Sequence, residues 1–425
     1  MKEITIYPRK LAGTVNIPPS KSLSHRAVIC AGLSKGISQI DNLGESEDID
    51  ATCKAIKTFG AKISKNASSV AIEGNDCPCP HDPHIGCGES GSTVRFIIPI
   101  GAISDEPVTF TGKGRLGERS LEPYFNIFRQ QGIEFKTRDG KLPLYLKGKL
   151  KPGEFLIPGD ISSQFISGLM FVLPLLNKDS FIDIRGSLES KPYVDMTIDV
   201  LDKFSINIEN HKYSKFYIKG NQEYKATNYT VEGDYSQAAF WFVAGTLGSD
   251  ICCKGLDKNS LQGDKSIIHI LNQMKGNILN WDNDMKAWAD ETRGITVDAS
   301  QCPDLVPILA VLASLSQGKT EIINGSRLRL KESDRLTAIT TELDKLGADI
   351  EERSDGLIIR GVPFLKGGNV DSWNDHRIAM SLAIAAIKCE KPVIINDAQC
   401  VNKSYPRFWE DYKGLGGELY ERNMG

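Results

Sequence analysis

Short alternating strands that close on glycine return along this chain at a nearly fixed interval. The stretches "SSVAIEG", "KLPLYLKG", "SKFYIKG" and "GLIIRG" end at Gly74, Gly148, Gly220 and Gly361, which lie 74, 72 and 141 residues apart. The last interval is about two periods, so a unit of about seventy residues fits the chain six times. A supersecondary unit of this size covers its apolar face against copies of itself, which restricts the fold more than any single motif does.

Each unit opens with a polar tip that runs into an apolar helix. The six are "SKSLSHRAVICAGL", "SGSTVRFIIPIGAI", "SSQFISGLMFVLPLL", "YSQAAFWFVAGTLG", "CPDLVPILAVLASLSQG" and "DHRIAMSLAIAAIK". These helices are apolar nearly all round and are expected to be buried. A short strand such as "SFIDIRG" or "KTEIING" follows, then an amphipathic helix such as "ESDRLTAITTELDKLGADI", and further strands complete the unit. A chain of 425 residues exceeds one comfortable core, so two domains of three units are expected. The buried helices of one domain should run alike and present their N-termini on one side; if the domains face each other through those ends, the polar tips share a cleft.

The tips are cationic where a helix disfavours it. "PPSKSLSHR" places Lys21 and Arg26 at the start of an apolar run, and positive charge there opposes a dipole end of about half an elementary charge of the same sign. A serine N-cap explains one hydroxyl of the cluster but neither cation. An anion held by Lys, Arg, hydroxyls and free N–H groups would account for all of them, and an ordinary solvated cap is the alternative.

Composition narrows the class of partner. The formal net charge of −3 argues against nucleic acid as a bulk partner, so cationic sites must be local. No apolar stretch approaches a membrane span, and "MKEITIYPRK" lacks a signal-peptide core. Ten scattered cysteines fit reduced thiols in a cytoplasmic protein. The stretch "CPCPHDPHIGC" offers Cys77, Cys79, His81, His84 and Cys87. Its spacing departs from C-x-x-C and its prolines stiffen it, so it reads as a connector rather than a metal site. "QGKT" at Gln317 to Thr320 fails as a phosphate loop, because Ala313 stands where a glycine is required and the order is helix to strand.

The motifs "PPSKSLSHRA", "GESGSTVRF", "GERS", "GDISSQF", "SKPY", "PD" at Pro303 and Asp304, "RLKESDR", "NDHR" and "NKSYPRFW" occur in the order seen in the 5-enolpyruvylshikimate-3-phosphate synthase family. The resemblance spans essentially the whole chain. It implies an α/β (α+β) enolpyruvyl-transferase fold of two lobes, each of three βαβαββ units in a pseudo-threefold arrangement. Residues 1–17 with 232–425 would form the C-terminal lobe and 18–231 the N-terminal lobe. The implied reaction joins the small-molecule substrates shikimate 3-phosphate and phosphoenolpyruvate by addition and elimination, with no metal or organic cofactor. A monomer is the family expectation.

Residue by residue, the resemblance assigns Lys21, Gly91, Arg119, Gln164, Arg335, Arg377 and Lys403 to phosphoenolpyruvate. Several cations suit a small molecule carrying both carboxylate and phosphate. It assigns Lys21, Ser22, Arg26, Ser162, Ser163, Gln164, Ser190, Tyr193, Asp304 and Lys331 to shikimate 3-phosphate. Asp304, Glu332 and Lys21 would carry the proton chemistry, Asp304 as base for the attacking hydroxyl and Glu332 beside the methylene carbon. Glu89, Ser92 and Arg327 depart from the family pattern, which has Asn, Thr and Asn there. UDP-N-acetylglucosamine enolpyruvyl transferase is the nearer rival, but it carries Asn where Ser22 follows Lys21. A catalytically inactive, anion-binding relative is the other. The resemblance also leads to the expectation that Lys21, Arg26 and Arg119 on one lobe repel Arg335, Arg377 and Lys403 on the other until an anion binds.

For the cysteine stretch the expected outcome is a metal content well below one zinc per chain in protein purified without added metal. Stoichiometric zinc by atomic emission would show that the connector reading is wrong.

Overall fold

A computed structural model describes residues 2–65 and 69–423. The described residues form six four-stranded sheets, each crossed by a buried helix. The chain divides into two compact units, one of Met1–Pro18 with Glu232–Gly425 and the other of Pro19–Val231.

One strand order recurs in all six sheets. In the clearest repeat, strand Thr296–Asp298 pairs parallel with Lys319–Ile323, which pairs antiparallel with Gly356–Arg360, which pairs antiparallel with Asp349–Arg353. The order is therefore first, second, fourth, third. Parallel neighbours need a crossover, and here it is the helix Val306–Ser314, all of whose residues are buried. The equivalent helices Lys21–Gly32, Gly91–Gly101, Ser163–Val172, Tyr235–Thr246 and His376–Ala385 are likewise apolar on nearly every side. In the unit of Met1–Pro18 with Glu232–Gly425, the three such helices touch one another pairwise and form its core.

Three repeats are completed by strands distant in sequence. The last sheet closes with Lys2–Tyr7 in its fourth position, between Val393–Asn396 and Glu418–Asn423. Ala12–Asn16 supplies the first strand of the sheet built on Asp250–Lys254. In the other unit, Asn228–Thr230 returns to pair parallel with Ile37–Asp41. The glycine period in the sequence marks only four fourth strands for a related reason. The fourth strands Asp284–Trp288 and Lys2–Tyr7 run on into Ala289 and Pro8 instead of glycine.

The glycines that do close strands stand where backbone passes backbone. A Cβ at Gly361 would lie 1.6 Å from the Ser316 carbonyl oxygen, and one at Gly74 would lie 2.2 Å from that of Ala31. Both carbonyls belong to the end of a buried helix or the segment just after it, so the strand end and the helix end are packed without a side chain between them. Gly318, in "QGKT", adopts φ +83° in the turn from the Val306–Ser314 helix to the Lys319–Ile323 strand. What it supplies there is a left-handed turn.

Gly361→Ala is expected to destabilise the protein by about 3 kcal/mol, the upper part of the usual overpacking range, because the clashing atoms are backbone. Urea unfolding would register this as a lower midpoint; an unchanged midpoint would contradict the close approach.

Candidate active site

In the unit of Met1–Pro18 with Glu232–Gly425, four helix N-termini meet around one carboxylate. Asp304 sits in a 3₁₀ turn, Pro303–Leu305, just ahead of the Val306–Ser314 helix. Its Oδ1 accepts from Arg335 Nη1 at 2.8 Å and lies 3.4 Å from Lys331 Nζ. Its Oδ2 accepts from Arg377 Nη2 at 2.9 Å. Arg335 opens the Arg335–Lys345 helix and Arg377 is the second residue of His376–Ala385. The fourth terminus arrives through Ser236, whose Oγ accepts from Arg377 Nη2 at 3.1 Å and donates to Asp234 Oδ1 at 2.5 Å.

Arg335 is the most enclosed of these groups, with only 1% of its side chain exposed. Its Nε donates to Asp375 Oδ2 at 2.8 Å, and its Nη2 donates to Glu332 Oε2 at 2.7 Å. Asp375 is fully buried, accepts from Ser333 Oγ at 3.0 Å, and caps its helix by accepting from the Arg377 N–H at 2.9 Å. Lys403 Nζ donates to the Asn374 carbonyl at 2.8 Å.

Three carboxylates, Asp304, Glu332 and Asp375, thus meet three cations, Lys331, Arg335 and Arg377. This corrects the expectation of a simple cationic tip, because most of the positive charge in this half is offset within the unit. Burial would raise the Asp304 carboxyl, but Arg377, Lys331 and Arg335 outweigh it and hold it well below the usual carboxylate range, Glu332 opposing them. For Asp375 burial again pushes upward and Arg335 prevails, so its value is lowered. Burial lowers the Lys331 ammonium despite Asp304 beside it.

The unit of Pro19–Val231 presents hydroxyls, amides and cations at its own helix ends. Lys21, the first residue of its helix, pairs with Asp48 Oδ2 at 2.8 Å. Asp48 lies in the first turn of the Glu47–Thr58 helix, where a carboxylate is favoured, so the misplaced charge of Lys21 is balanced by a well-placed one. Gln164 joins two tips, accepting from Arg95 Nη1 at 2.6 Å and donating to Ser92 Oγ at 2.9 Å. A Cβ at Gly91 would lie 2.7 Å from Arg119 Nη1, so the missing side chain makes room for that guanidinium. Ser162 spends an oxygen lone pair on capping, accepting from the Gln164 N–H at 3.3 Å. Ser163 and Ser190 are buried, and Ser190 holds φ +54° ahead of the Lys191–Lys203 helix that carries Tyr193.

Arg26 is turned inward. With 2% exposure it donates from Nε to Thr197 Oγ1 at 2.8 Å, from Nη1 to the Ser22 carbonyl at 2.7 Å, and from Nη2 to the Tyr193 carbonyl at 2.8 Å. None of these acceptors is a carboxylate. Its guanidinium carbon lies 5.2 Å from the Phe96 ring centroid, and burial draws its value down to about 10. Read from the sequence as a phosphate ligand, Arg26 in this structure braces the Lys21–Gly32 helix against Lys191–Lys203; a ligand would have to use the second N–H of Nη1 or Nη2.

Sequence reasoning missed Asp48, Asp375, Ser236 and Thr197. Asp375 lies within "NDHR" and carries the signal of an Asx residue just before an apolar helix. The other three have no comparable signal, since their importance depends on which helix lies beside them. In the cysteine stretch, His84–Gly86 forms a short strand paired with Val108–Thr111 and Cys87 is buried, its thiol pushed up to about 12 by burial. Among the described residues no three His, Cys, Asp or Glu side chains are grouped as ion ligands. No described helix is long and apolar enough to cross a membrane.

Solved structures place this architecture. EPSP synthase from Acinetobacter baumannii superposes with a TM-score of 0.84 at 24% identity over the whole of both chains. The enolpyruvyl transferase NikO from Streptomyces tendae gives 0.82 at 16% identity over all of this chain and 99% of that one. The fold is therefore that of the enolpyruvyl transferases. A family model for EPSP synthase (3-phosphoshikimate 1-carboxyvinyltransferase) matches residues 6–412, and the chain belongs to that family. Proteins named 3-phosphoshikimate 1-carboxyvinyltransferase from Clostridium kluyveri and Clostridium acetobutylicum are each 54% identical to it over the full length of both chains.

Asp375→Asn should cost about 3 kcal/mol at neutral pH, because it leaves the buried Arg335 short of a charged partner. The lowered value of Asp375 makes its contribution complete above the unfolded carboxyl value of about 4 and progressively lost as pH falls through the folded one. Urea titrations of wild type and variant should therefore converge as pH is lowered below about 4. A gap that stays constant into acid would show that the pair is not the source.

Proposed function

We propose that this chain transfers the enolpyruvyl group of phosphoenolpyruvate to the 5-hydroxyl of shikimate 3-phosphate, releasing phosphate, in the shikimate pathway to aromatic amino acids. The observation that carries the reading is the Asp304 cluster, in which one carboxylate is held by two guanidinium groups and an ammonium at converging helix ends. That arrangement is suited to anions and to proton transfer together.

Lys21, Arg119, Arg335, Arg377 and Lys403, with Gly91 and Gln164, bind phosphoenolpyruvate in this reading. Lys21, Ser22, Ser162, Ser163, Gln164, Ser190, Tyr193, Asp304 and Lys331 bind shikimate 3-phosphate, and Arg26 serves it by fixing the backbone at Ser22 and Tyr193. The chemistry is an addition followed by an elimination. C3 of phosphoenolpyruvate takes a proton, the 5-hydroxyl oxygen attacks C2 and gives up its own proton, and the tetrahedral adduct then loses phosphate and a C3 proton.

Asp304 is a weak base while three cations hold its carboxylate. Anionic substrates that draw Arg335, Arg377 and Lys331 toward themselves offset this hold, so its basicity rises when the substrates are in place. Glu332, which accepts from Arg335 Nη2, serves the C3 proton, with Lys21 as the alternative acid. We further propose that the protein works as a cytoplasmic monomer with no cofactor and with no nucleic-acid partner, the last in keeping with its net charge of −3.

Phosphate release measured with phosphoenolpyruvate and either shikimate 3-phosphate or UDP-N-acetylglucosamine tests the reading. Turnover is expected only with the first acceptor, and turnover with the nucleotide sugar alone would overturn the assignment. Asp304→Ala should weaken shikimate 3-phosphate binding as well as turnover, whereas Glu332→Gln should spare binding and lower turnover about a hundredfold or more. Equal binding losses in both would remove the distinction between the two carboxylates.

A further inference from the structure

The helix that begins with Arg335 carries a buried acid of its own, two turns further on. Glu342 has 1% of its side chain exposed and is used at both oxygens. Oε1 accepts from the Trp373 indole N–H at 2.7 Å, and Oε2 accepts from the Asp371 backbone N–H at 2.9 Å. Lys345 Nζ donates to both oxygens, at 2.9 and 2.8 Å, from a position half-exposed at the surface.

The segment that Glu342 grips is strained. Trp373 and Asn374 adopt φ +55° and +51°, two successive non-glycine residues in the left-handed region. Such a conformation is costly and persists only where its surroundings impose it. Here the constraints are visible. The Trp373 N–H donates to Asp371 Oδ1 at 2.5 Å, the Asn374 N–H donates to Ser372 Oγ at 3.2 Å, and Ser372 Oγ donates to the Asp397 carbonyl at 3.2 Å. The turn delivers two groups of the candidate site: the Asn374 carbonyl that receives Lys403 Nζ, and Asp375, which pairs with Arg335 and caps the helix bearing Arg377.

One helix therefore holds the turn at two points, through Arg335 and Asp375 at its start and through Glu342 with Asp371 and Trp373 near its end. We infer that Glu342 is a positioning residue, which together with the Trp373 indole imposes the left-handed turn and so sets Lys403 and Arg377 for phosphoenolpyruvate. The inference rests on the proposed function for the substrate concerned, but the bracket itself does not.

Two variants separate this from a merely structural role. Glu342→Gln replaces one oxygen by an NH₂ that cannot accept from Asp371 or Trp373, and Trp373→Phe removes the indole donor alone. Both should raise the KM for phosphoenolpyruvate about tenfold, the effect of losing one hydrogen bond to a charged group. KM for shikimate 3-phosphate should stay within about twofold, because Asp304 is held by Arg335, Arg377 and Lys331 together and the loss of one hydrogen bond at Glu342 leaves all three of these ion pairs in place. Lys345→Gln is the control: it weakens the outer partner of Glu342, so it should lower the melting temperature while leaving both KM values as they are. A second readout is independent of substrate. Hydrogen exchange of the peptide spanning 368–376 should be faster in Glu342→Gln and Trp373→Phe than in wild type or Lys345→Gln. Failure of wild-type turnover would refute the proposed function, and the exchange rates would then decide the bracket alone. Unchanged exchange, or KM values for both substrates rising together in step with lost thermal stability, would overturn the positioning role.

Discussion

Burying Arg335 is the constraint on which the candidate site depends. A guanidinium removed from water is tolerable only when its donors are met by charged acceptors of good geometry. Asp375, Glu332 and Asp304 each meet one nitrogen of Arg335 at 2.7 to 2.8 Å, and each comes from a different local setting: a helix cap, the loop before the Arg335–Lys345 helix, and a 3₁₀ turn. The requirement to satisfy one side chain therefore fixes the mutual positions of three segments. Arg377 and Lys331 then complete Asp304, so that removing any one member leaves a neighbour's charge uncompensated.

The same network explains how the proposed site for anions can be stable before an anion arrives. Cations grouped at helix N-termini oppose the helix dipoles as well as one another. Here carboxylates occupy the gaps, and in the proposed reaction they are the groups that would act on the hydroxyl and the methylene carbon. The opposite arrangement serves Arg26, whose charge is met by two carbonyls, a hydroxyl and an aromatic ring. With no carboxylate among these acceptors, it acts as a brace. Two arginines in similar motifs thus differ in role, because one faces acids across converging helix ends and the other faces the flank of a neighbouring helix.

Backbone strain is spent where side-chain precision matters. The turn at Trp373 and Asn374 is held by Glu342, Asp371 and Ser372, and it carries the carbonyl for Lys403 and the cap for the Arg377 helix. Close-approach glycines act differently, since Gly361 and Gly74 let strand ends lie on carbonyls at the ends of the buried helices. The first device aims side chains, and the second sets the spacing between layers.

The sequence by itself determined the repeat, the six buried helices and most of the residues gathered at their tips, because periodicity, apolar runs and cap residues act within a few positions of one another. It showed the fourth strands at Gly74, Gly148, Gly220 and Gly361 but not those at Asp284–Trp288 and Lys2–Tyr7, where no glycine follows because the chain continues differently. It pointed to Asp304, Glu332, Arg335 and Arg377 through motifs, yet could not tell that they neutralise one another, since residues up to 73 apart meet only when the helices pack. Asp48 beside Lys21, Thr197 beside Arg26 and Glu342 beneath Trp373 were decided by tertiary structure alone. A hydrogen bond between helices leaves no period in either one, and the charge balance of a buried site is a property of neighbours in space.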